Sequence, residues 1–104
     1  MAQFDVYENP NPATRETVPF LLDVQADLLS HLSTRVVVPL VSASVMAKAA
    51  KYLNPCFEIR GSEVVMSTAE LAGVALHDLG EKASSLKEKR HEIVAALDFL
   101  VIGF

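Results

Sequence analysis

Short apolar runs occupy the first two thirds of the chain, and their spacing predicts strands. QFDVY at residues 3–7 alternates polar and apolar side chains, as expected for a strand with one buried face. FLLDVQ at residues 20–25 predicts a second strand, and the three valines of RVVVPL at residues 35–40 favour a third. Since proline cannot donate to a ladder, we expect Pro39 at the end of that strand or at a bulge.

Turn signals separate these runs. Residues 8–19, ENPNPATRETVP, contain three prolines and two asparagines and predict a loop. Residues 26–35, ADLLSHLSTR, predict an irregular excursion or a short turn. CFEIRGSEVVMST at residues 56–68 predicts a hairpin that turns at RGS, and GVALHDLG at residues 73–80 predicts one more strand between glycines.

The last segment changes to helical periodicity. Ser85 followed by Glu88 matches a capping box, so we expect a helix from about Leu86 to about Ile102. Its apolar residues recur at helical spacing: Leu86, Ile93, Leu97, Leu100 and Phe104. Several short strands followed by one helix predict a small, strongly bent antiparallel sheet or barrel with a helix attached.

The end of this predicted helix is apolar on most of its sides. Leu97, Leu100 and Phe104 can pack on a barrel. Three other residues then point elsewhere: Phe99, Val101 and Ile102. An exposed apolar patch of this kind indicates a binding surface, and the alternative is that all of these residues lie in the core or in a dimer interface.

Composition narrows the classes of function. The chain has 104 residues and a net charge of −4, with no basic run, so we expect a single domain over residues 1–104 that does not bind nucleic acid directly. A single cysteine, Cys56, excludes an internal disulfide and predicts a small buried hydrophobe. Neither a signal peptide nor a run of ~20 apolar residues is present, so we expect a cytoplasmic protein.

Catalytic and metal-binding signals are weak. His31, His77 and His91 lack the HxH or HxxxH spacing of metal ligands, so neither a metal nor another cofactor is expected. Glu88 and Glu92 alternate with basic residues, as is typical of a solvated helix face. The residues themselves therefore predict no enzyme.

Four segments match a known family in order and spacing. They are QFDVY at residues 3–7, DVQADLL at residues 23–29, RVVVPL at residues 35–40 and the terminal helix with Ile102-Gly103-Phe104. Together they resemble the CcdB family of bacterial toxins over essentially the whole chain. The resemblance implies an SH3-like barrel of the CcdB/Kid/MazF type, mainly β with a C-terminal helix, with an antiparallel sheet and a small second sheet. It also implies a homodimer.

The resemblance implies a toxin that is not an enzyme. Members of the family bind the A subunit of DNA gyrase and trap the enzyme while its DNA is cut. A CcdA-type antitoxin neutralises them, and the toxin–antitoxin complex, with CcdA supplying the DNA-binding part, represses its own operon. For the antitoxin contacts we suggest only two loops, at residues 8–16 and 43–48.

The resemblance also assigns the gyrase-binding residues. The family tail reads Trp-Gly-Ile, and Ile102, Gly103 and Phe104 stand in its place. The tryptophan offers its ring to an arginine of gyrase, which isoleucine cannot do. The remaining residues of the predicted surface are Gln3, Phe4, Tyr7, Ala26, Leu28, Leu29, Asp98 and Phe99.

Three outcomes of this departure at Ile102 stay open. The tail docks by apolar burial alone, or Phe104 supplies the ring, or gyrase poisoning is lost or redirected to another topoisomerase. If poisoning is lost, the protein remains as an antitoxin-binding module. A remote alternative is a MazF-like ribonuclease, since those toxins use an arginine with a second polar residue. Arg35 and Arg60 are present, but the sequence pattern gives neither of them a companion.

Overall fold

The computed structural model describes residues 2–46 and 52–103. Within these ranges it shows a curled antiparallel half-barrel with one C-terminal helix, which confirms the predicted class. The strands are β1 (Asp5–Glu8), β2 (Phe20–Asp23), β3 (Thr34–Ser42), β4 (Cys56–Ile59), β5 (Ser62–Met66), β6 (Ala72–Ala75) and β7 (Lys82–Ser85). The helix α1 spans Arg90–Ile102. No helix in the described ranges has the length and apolarity needed to cross a bilayer.

The strands form one sheet in the order β4-β5-β3-β2-β1-β7, and β6 also pairs with β3. Strand β3 is long enough to have two partners on one edge. Its residues Thr34 to Val37 pair with β6, and Leu40 to Ser42 pair with β5. The expected small second sheet is therefore continuous with the main one.

Pro39 lies inside β3, opposite Leu21 of β2, and not at an end or a bulge as expected. Its carbonyl accepts a hydrogen bond of 2.9 Å from the amide of Ser67. The nitrogen and carbonyl of one strand residue point to the same side, so the ring nitrogen of Pro39 faces the place where β3 passes from β6 to β5. Because no described strand is paired with β3 on that side at Pro39, the missing N–H donor of Pro39 breaks no strand pairing, and proline is tolerated within the strand.

The hairpin of β4 and β5 turns at Arg60 and Gly61, as predicted. Both residues have a positive φ, 51° and 80° respectively, as the tight turn that matches strand twist requires. The strand predicted over residues 73–80 is only half right, because β6 ends at Ala75 and a 3-10 turn follows at Leu76–Asp78.

The helix starts later than predicted and ends where predicted. A 3-10 turn occupies Lys87–Lys89, and no side chain caps α1. The capping box at Ser85 is therefore wrong. Leu86 is instead buried, and its amide donates to the carbonyl of Phe4 at 2.8 Å. At the other end, Gly103 has φ 78° and donates to the carbonyl of Phe99, a left-handed helix stop that glycine adopts without strain.

The apolar core lies between one face of the sheet and α1. Ile93 and Ala96 of the helix are fully buried against it, and Leu97 packs at its margin. The core strand residues include Val6, Leu22, Val38, Leu40, Ile59, Val64 and Met66. Burying such a side chain stabilises the fold by about 1.5–3 kcal/mol. The face of α1 that carries Ile93 and Ala96 therefore packs against the sheet, and the opposite side of the helix faces solvent.

Candidate functional site

The end of α1 presents apolar side chains to solvent. Val101 is 79% exposed and Ile102 is 61% exposed, and Gly103 is exposed beyond them. They point outward because Ile93 and Ala96 set the buried face of the helix earlier in its length. Leu100 is half-buried, and Phe104, which was also assigned to this surface, lies outside the described residues.

An aromatic pair adjoins this helix end. Phe99 is half-buried, and its ring centroid lies 6.3 Å from that of Tyr52 with the planes tilted by 57°. Tyr52 is largely exposed, and Asp98, also assigned to the surface, is exposed beside Phe99. The sequence pattern did not point to Tyr52, because nothing local relates it to Phe99, which lies more than forty residues later.

A second apolar surface lies on the turn after β2. A 3-10 turn spans Asp27–Leu29, and Leu28 is 91% exposed. Leu29 and Leu32 are also exposed, as is Ala26. We call residues 26–32 the leucine turn. Leu32 was missed by the sequence analysis, although it lies in the segment that was predicted to be irregular.

Gln3 is attached to the leucine turn. Its amide donates to Asp27 Oδ1 at 2.8 Å, and its side-chain Nε2 donates to the carbonyl of Val24 at 3.1 Å. The structure therefore brings together Gln3, Ala26, Leu28 and Leu29, four of the residues assigned to one surface. In the described ranges, no hydrogen bond or ring contact joins this group to the end of α1.

Phe4 and Tyr7 do not present their side chains to a partner. Both side chains are buried, so in this structure neither supplies the exposed contact that was expected of it. Phe4 has a left-handed φ of 71°, which costs a residue with a side chain about 1–2 kcal/mol. Its amide donates to Asp23 and its carbonyl accepts from Leu86. The Arg90 guanidinium lies 5.9 Å from the Phe4 ring centroid.

A buried polar cluster underlies the leucine turn. Arg35 and Asp23 are both sealed from solvent and form an ion pair of 2.6 Å. Tyr7 donates to Asp5 Oδ2 at 3.4 Å. Burial, and then the charges of Asp5 and Asp23, raise the pKa of Tyr7 to about 12. Burial also raises the pKa of Asp23, and the hydrogen bonds from Arg35 and Gln25 partly offset that rise.

This cluster gives Arg35 the companion that the sequence did not reveal. Asp23 lies twelve positions earlier, and only the pairing of β2 with β3 brings the two together. The guanidinium is enclosed, so it does not face a phosphate backbone. Arg60 is exposed and lies 3.5 Å from Glu8. Arg35 is therefore closed to a substrate, whereas Arg60 lines an open pocket together with Glu8 and Glu81.

Two further expectations concern cysteine and metal ligands. Cys56 is exposed at the start of the edge strand β4, so the expectation of a buried hydrophobe is wrong. Over residues 2–46 and 52–103, no three His, Cys, Asp or Glu side chains are grouped as metal ligands would be. The two exposed apolar surfaces are candidates for contact with a partner protein.

Comparison with known families returns one match of nearly full length. The family model described as "CcdB protein" covers residues 3–103. That range includes β1, the leucine turn and the whole of α1. The match therefore covers the sequence of nearly the whole fold, including both exposed apolar surfaces.

Proposed function

The chain belongs to the CcdB family, and from this premise we propose that it binds the A subunit of DNA gyrase and traps gyrase on cleaved DNA. Membership in the family makes it the toxin of a toxin–antitoxin pair. The target, the antitoxin, the dimeric state and the contact residues are our proposal.

The observation that carries the proposal is the exposure of Ile102. Its side chain and that of Val101 project from the end of a helix whose buried face is already occupied. Covering each of them on binding is worth about 1.5–3 kcal/mol. Isoleucine contributes through apolar burial alone, since it has no ring on which a guanidinium can stack. Gly103 stops the helix just after Ile102.

A homodimer would combine the two separate surfaces. Within one chain the leucine turn and the end of α1 are distinct groups, and the family resemblance implies that both lie near a two-fold axis. In a symmetric pair each residue patch occurs twice, so a gyrase subunit would meet two helix ends and two leucine turns. A dimer would therefore explain why the assigned residues form two separate groups within one chain.

Trapping needs no catalytic group on the toxin. A protein that binds the cleaved gyrase–DNA complex more tightly than the resealed one shifts the equilibrium toward cleavage by its difference in affinity. The toxin therefore acts as a binding protein and not as an enzyme, with no cofactor. Since gyrase is its target, it acts in the cytoplasm.

The antitoxin partner is a CcdA-type protein. We assign its contacts to the exposed loop at residues 8–16 and to the turn that begins at Ala43, whose later residues from 47 onward lie outside the described ranges. The toxin carries a net charge of −4, so the antitoxin supplies the DNA-binding part when the complex represses its own operon.

Expression in paired strains tests the target. The protein is induced in cells with normal gyrase and in cells whose gyrase A subunit resists the toxin. We expect growth arrest in the first strain only, together with linear DNA when purified protein, gyrase and plasmid are mixed. Equal killing of both strains would reject gyrase as the target, and degradation of total RNA by purified protein would support the ribonuclease instead.

One observation favours a second candidate. Ile102 replaces the tryptophan of the family, so the protein could bind antitoxin without poisoning gyrase. Ile102→Trp separates the two candidates. A harmless parent and a lethal variant would establish the second candidate, whereas a parent that already kills would dismiss it.

A further inference from the structure

The leucine turn has little support of its own. Its backbone hydrogen bonds are local, from Leu29 to Ala26, from Ser30 to Asp27 and from Leu32 to Leu29. No side chain caps the 3-10 turn, and none of its residues is buried. A segment that buries so little apolar surface opens easily unless something else holds it. Its contacts with the sheet therefore decide whether Leu28 keeps one position.

Gln3 holds the first part of the turn through Asp27 Oδ1, and Gln25 holds its later part at Leu29. The Gln25 side chain is buried and has two hydrogen bonds in opposite directions. Nε2 donates to the carbonyl of Leu29 at 2.9 Å, and Oε1 accepts from the amide of Val36 at 3.0 Å. One side-chain amide group thus connects the turn to Val36 of β3, eleven residues after Gln25.

The buried ion pair holds Gln25 in turn. The amide of Gln25 donates to Asp23 Oδ1 at 3.0 Å, and Arg35 Nη2 lies 3.5 Å from the carbonyl of Gln25. Asp23 and Arg35 are both almost fully enclosed. Both the amide and the carbonyl of Gln25 are therefore held by the ion pair. This fixes the direction in which the Gln25 side chain reaches Leu29.

We propose that Gln25 is a positioning residue for the gyrase-binding surface, holding the leucine turn in the conformation that presents Leu28 and Leu29. This inference rests on the proposed function. Gln25 itself is buried and does not touch the partner. A binding surface held in place before contact loses less conformational freedom on binding, so the hydrogen bond to Leu29 contributes to affinity at a distance.

Gln25→Glu tests the role with the smallest change of shape. The carboxylate still accepts from Val36 but offers no donor to Leu29. We expect the amides of Leu29, Ser30 and Leu32 to exchange hydrogen about tenfold faster, and binding to purified gyrase A subunit to weaken about tenfold, the order expected for one hydrogen bond.

Val64→Ala is the matched control, since Val64 is fully buried in β5 and its removal destabilises the fold without touching the turn. At equal loss of melting temperature it should leave exchange at the turn and gyrase binding at parent levels. Turn exchange in Gln25→Glu no faster than in Val64→Ala would overturn the proposal. If Gln25→Glu does not fold, Gln25→Met, of similar length and without either hydrogen bond, is judged by the same comparison. Failure of the parent to bind gyrase A would instead reject the proposed function, while turn exchange still decides the role of Gln25.

Discussion

Asp23 accepts both side-chain hydrogen bonds from Arg35 through one oxygen, Oδ2, at 3.0 Å from Nε and 2.6 Å from Nη2. Its other oxygen, Oδ1, accepts from the backbone of Gln25 at 3.0 Å. The Asp23 carboxylate thus connects β2 to β3 and to Gln25, the residue that precedes the leucine turn. Removing one partner of a buried, hydrogen-bonded ion pair is costly, because the remaining charge stays buried without its counter-charge.

Arg35→Met should therefore lower the free energy of unfolding by about 3–5 kcal/mol, because it leaves the Asp23 carboxylate buried without its partner. The double variant Asp23→Leu/Arg35→Met removes both charges and should recover part of that loss. Urea unfolding of the parent, both single variants and the double variant measures the coupling. Losses that simply add would show that the two side chains do not act as a pair.

Stability should fall at alkaline pH because of Tyr7. Its pKa rises from 10.0 in the unfolded chain to about 12 in the fold, so the folded state favours the neutral phenol. The resulting stabilisation is fully present below pH 10 and is lost as the pH rises through 12. We expect the parent to lose about 1–3 kcal/mol more than Tyr7→Phe across this window. Equal losses in urea unfolding of the two proteins at each pH would contradict this.

The leucine turn should serve binding and not stability. Leu28 is almost fully exposed, so Leu28→Asp should change the free energy of unfolding by less than about 0.5 kcal/mol. It should weaken binding to gyrase A by about tenfold or more, since a buried apolar contact is replaced by a charge. Val45→Asp, also at an exposed apolar position, is the control. Calorimetric titration with gyrase A checks the pair, and equal affinities would remove Leu28 from the surface.

Gly103 ends α1 and Gly61 lies in the turn between β4 and β5. The two glycines offer a matched comparison. Both have a left-handed φ, 78° and 80°, with open space where a Cβ would stand. Alanine at either position should cost about 1 kcal/mol through backbone strain alone. Only Gly103→Ala should reduce gyrase-dependent DNA cleavage, because it alters how the chain leaves Ile102. A similar loss of cleavage in Gly61→Ala would attribute the effect to stability.

Features set by neighbouring residues were predictable from the sequence, and features set by distant ones were not. The Arg60-Gly61 turn, the proline-rich loop and the helix stop at Gly103 each depend on a few adjacent residues. Strand β7 was missed because KASS has no apolar alternation, and its pairing with β1 alone makes it a strand. The helix start was wrong because the carbonyl of Phe4 holds Leu86 in the core.

The candidate surface divides in the same way. The exposure of Val101 and Ile102 follows from helical spacing, and the family resemblance supplied the leucine turn. Burial of Phe4 and Tyr7, and the contact of Tyr52 with Phe99, depend on how the sheet curls. The link from Arg35 through Asp23 to Gln25 needs strand register, which alternation of polar and apolar residues does not specify.

Ile102→Gln is the sharpest test of whether the exposed end of α1 binds gyrase. Calorimetric titration of purified gyrase A subunit should give binding to the parent and at least about tenfold weaker binding to Ile102→Gln, since about 1.5–3 kcal/mol of apolar burial is lost. Ala95→Gln, at an exposed position earlier in the helix, should bind like the parent. Equal affinity of all three proteins for gyrase A would show that Ile102 is not part of the gyrase-binding surface.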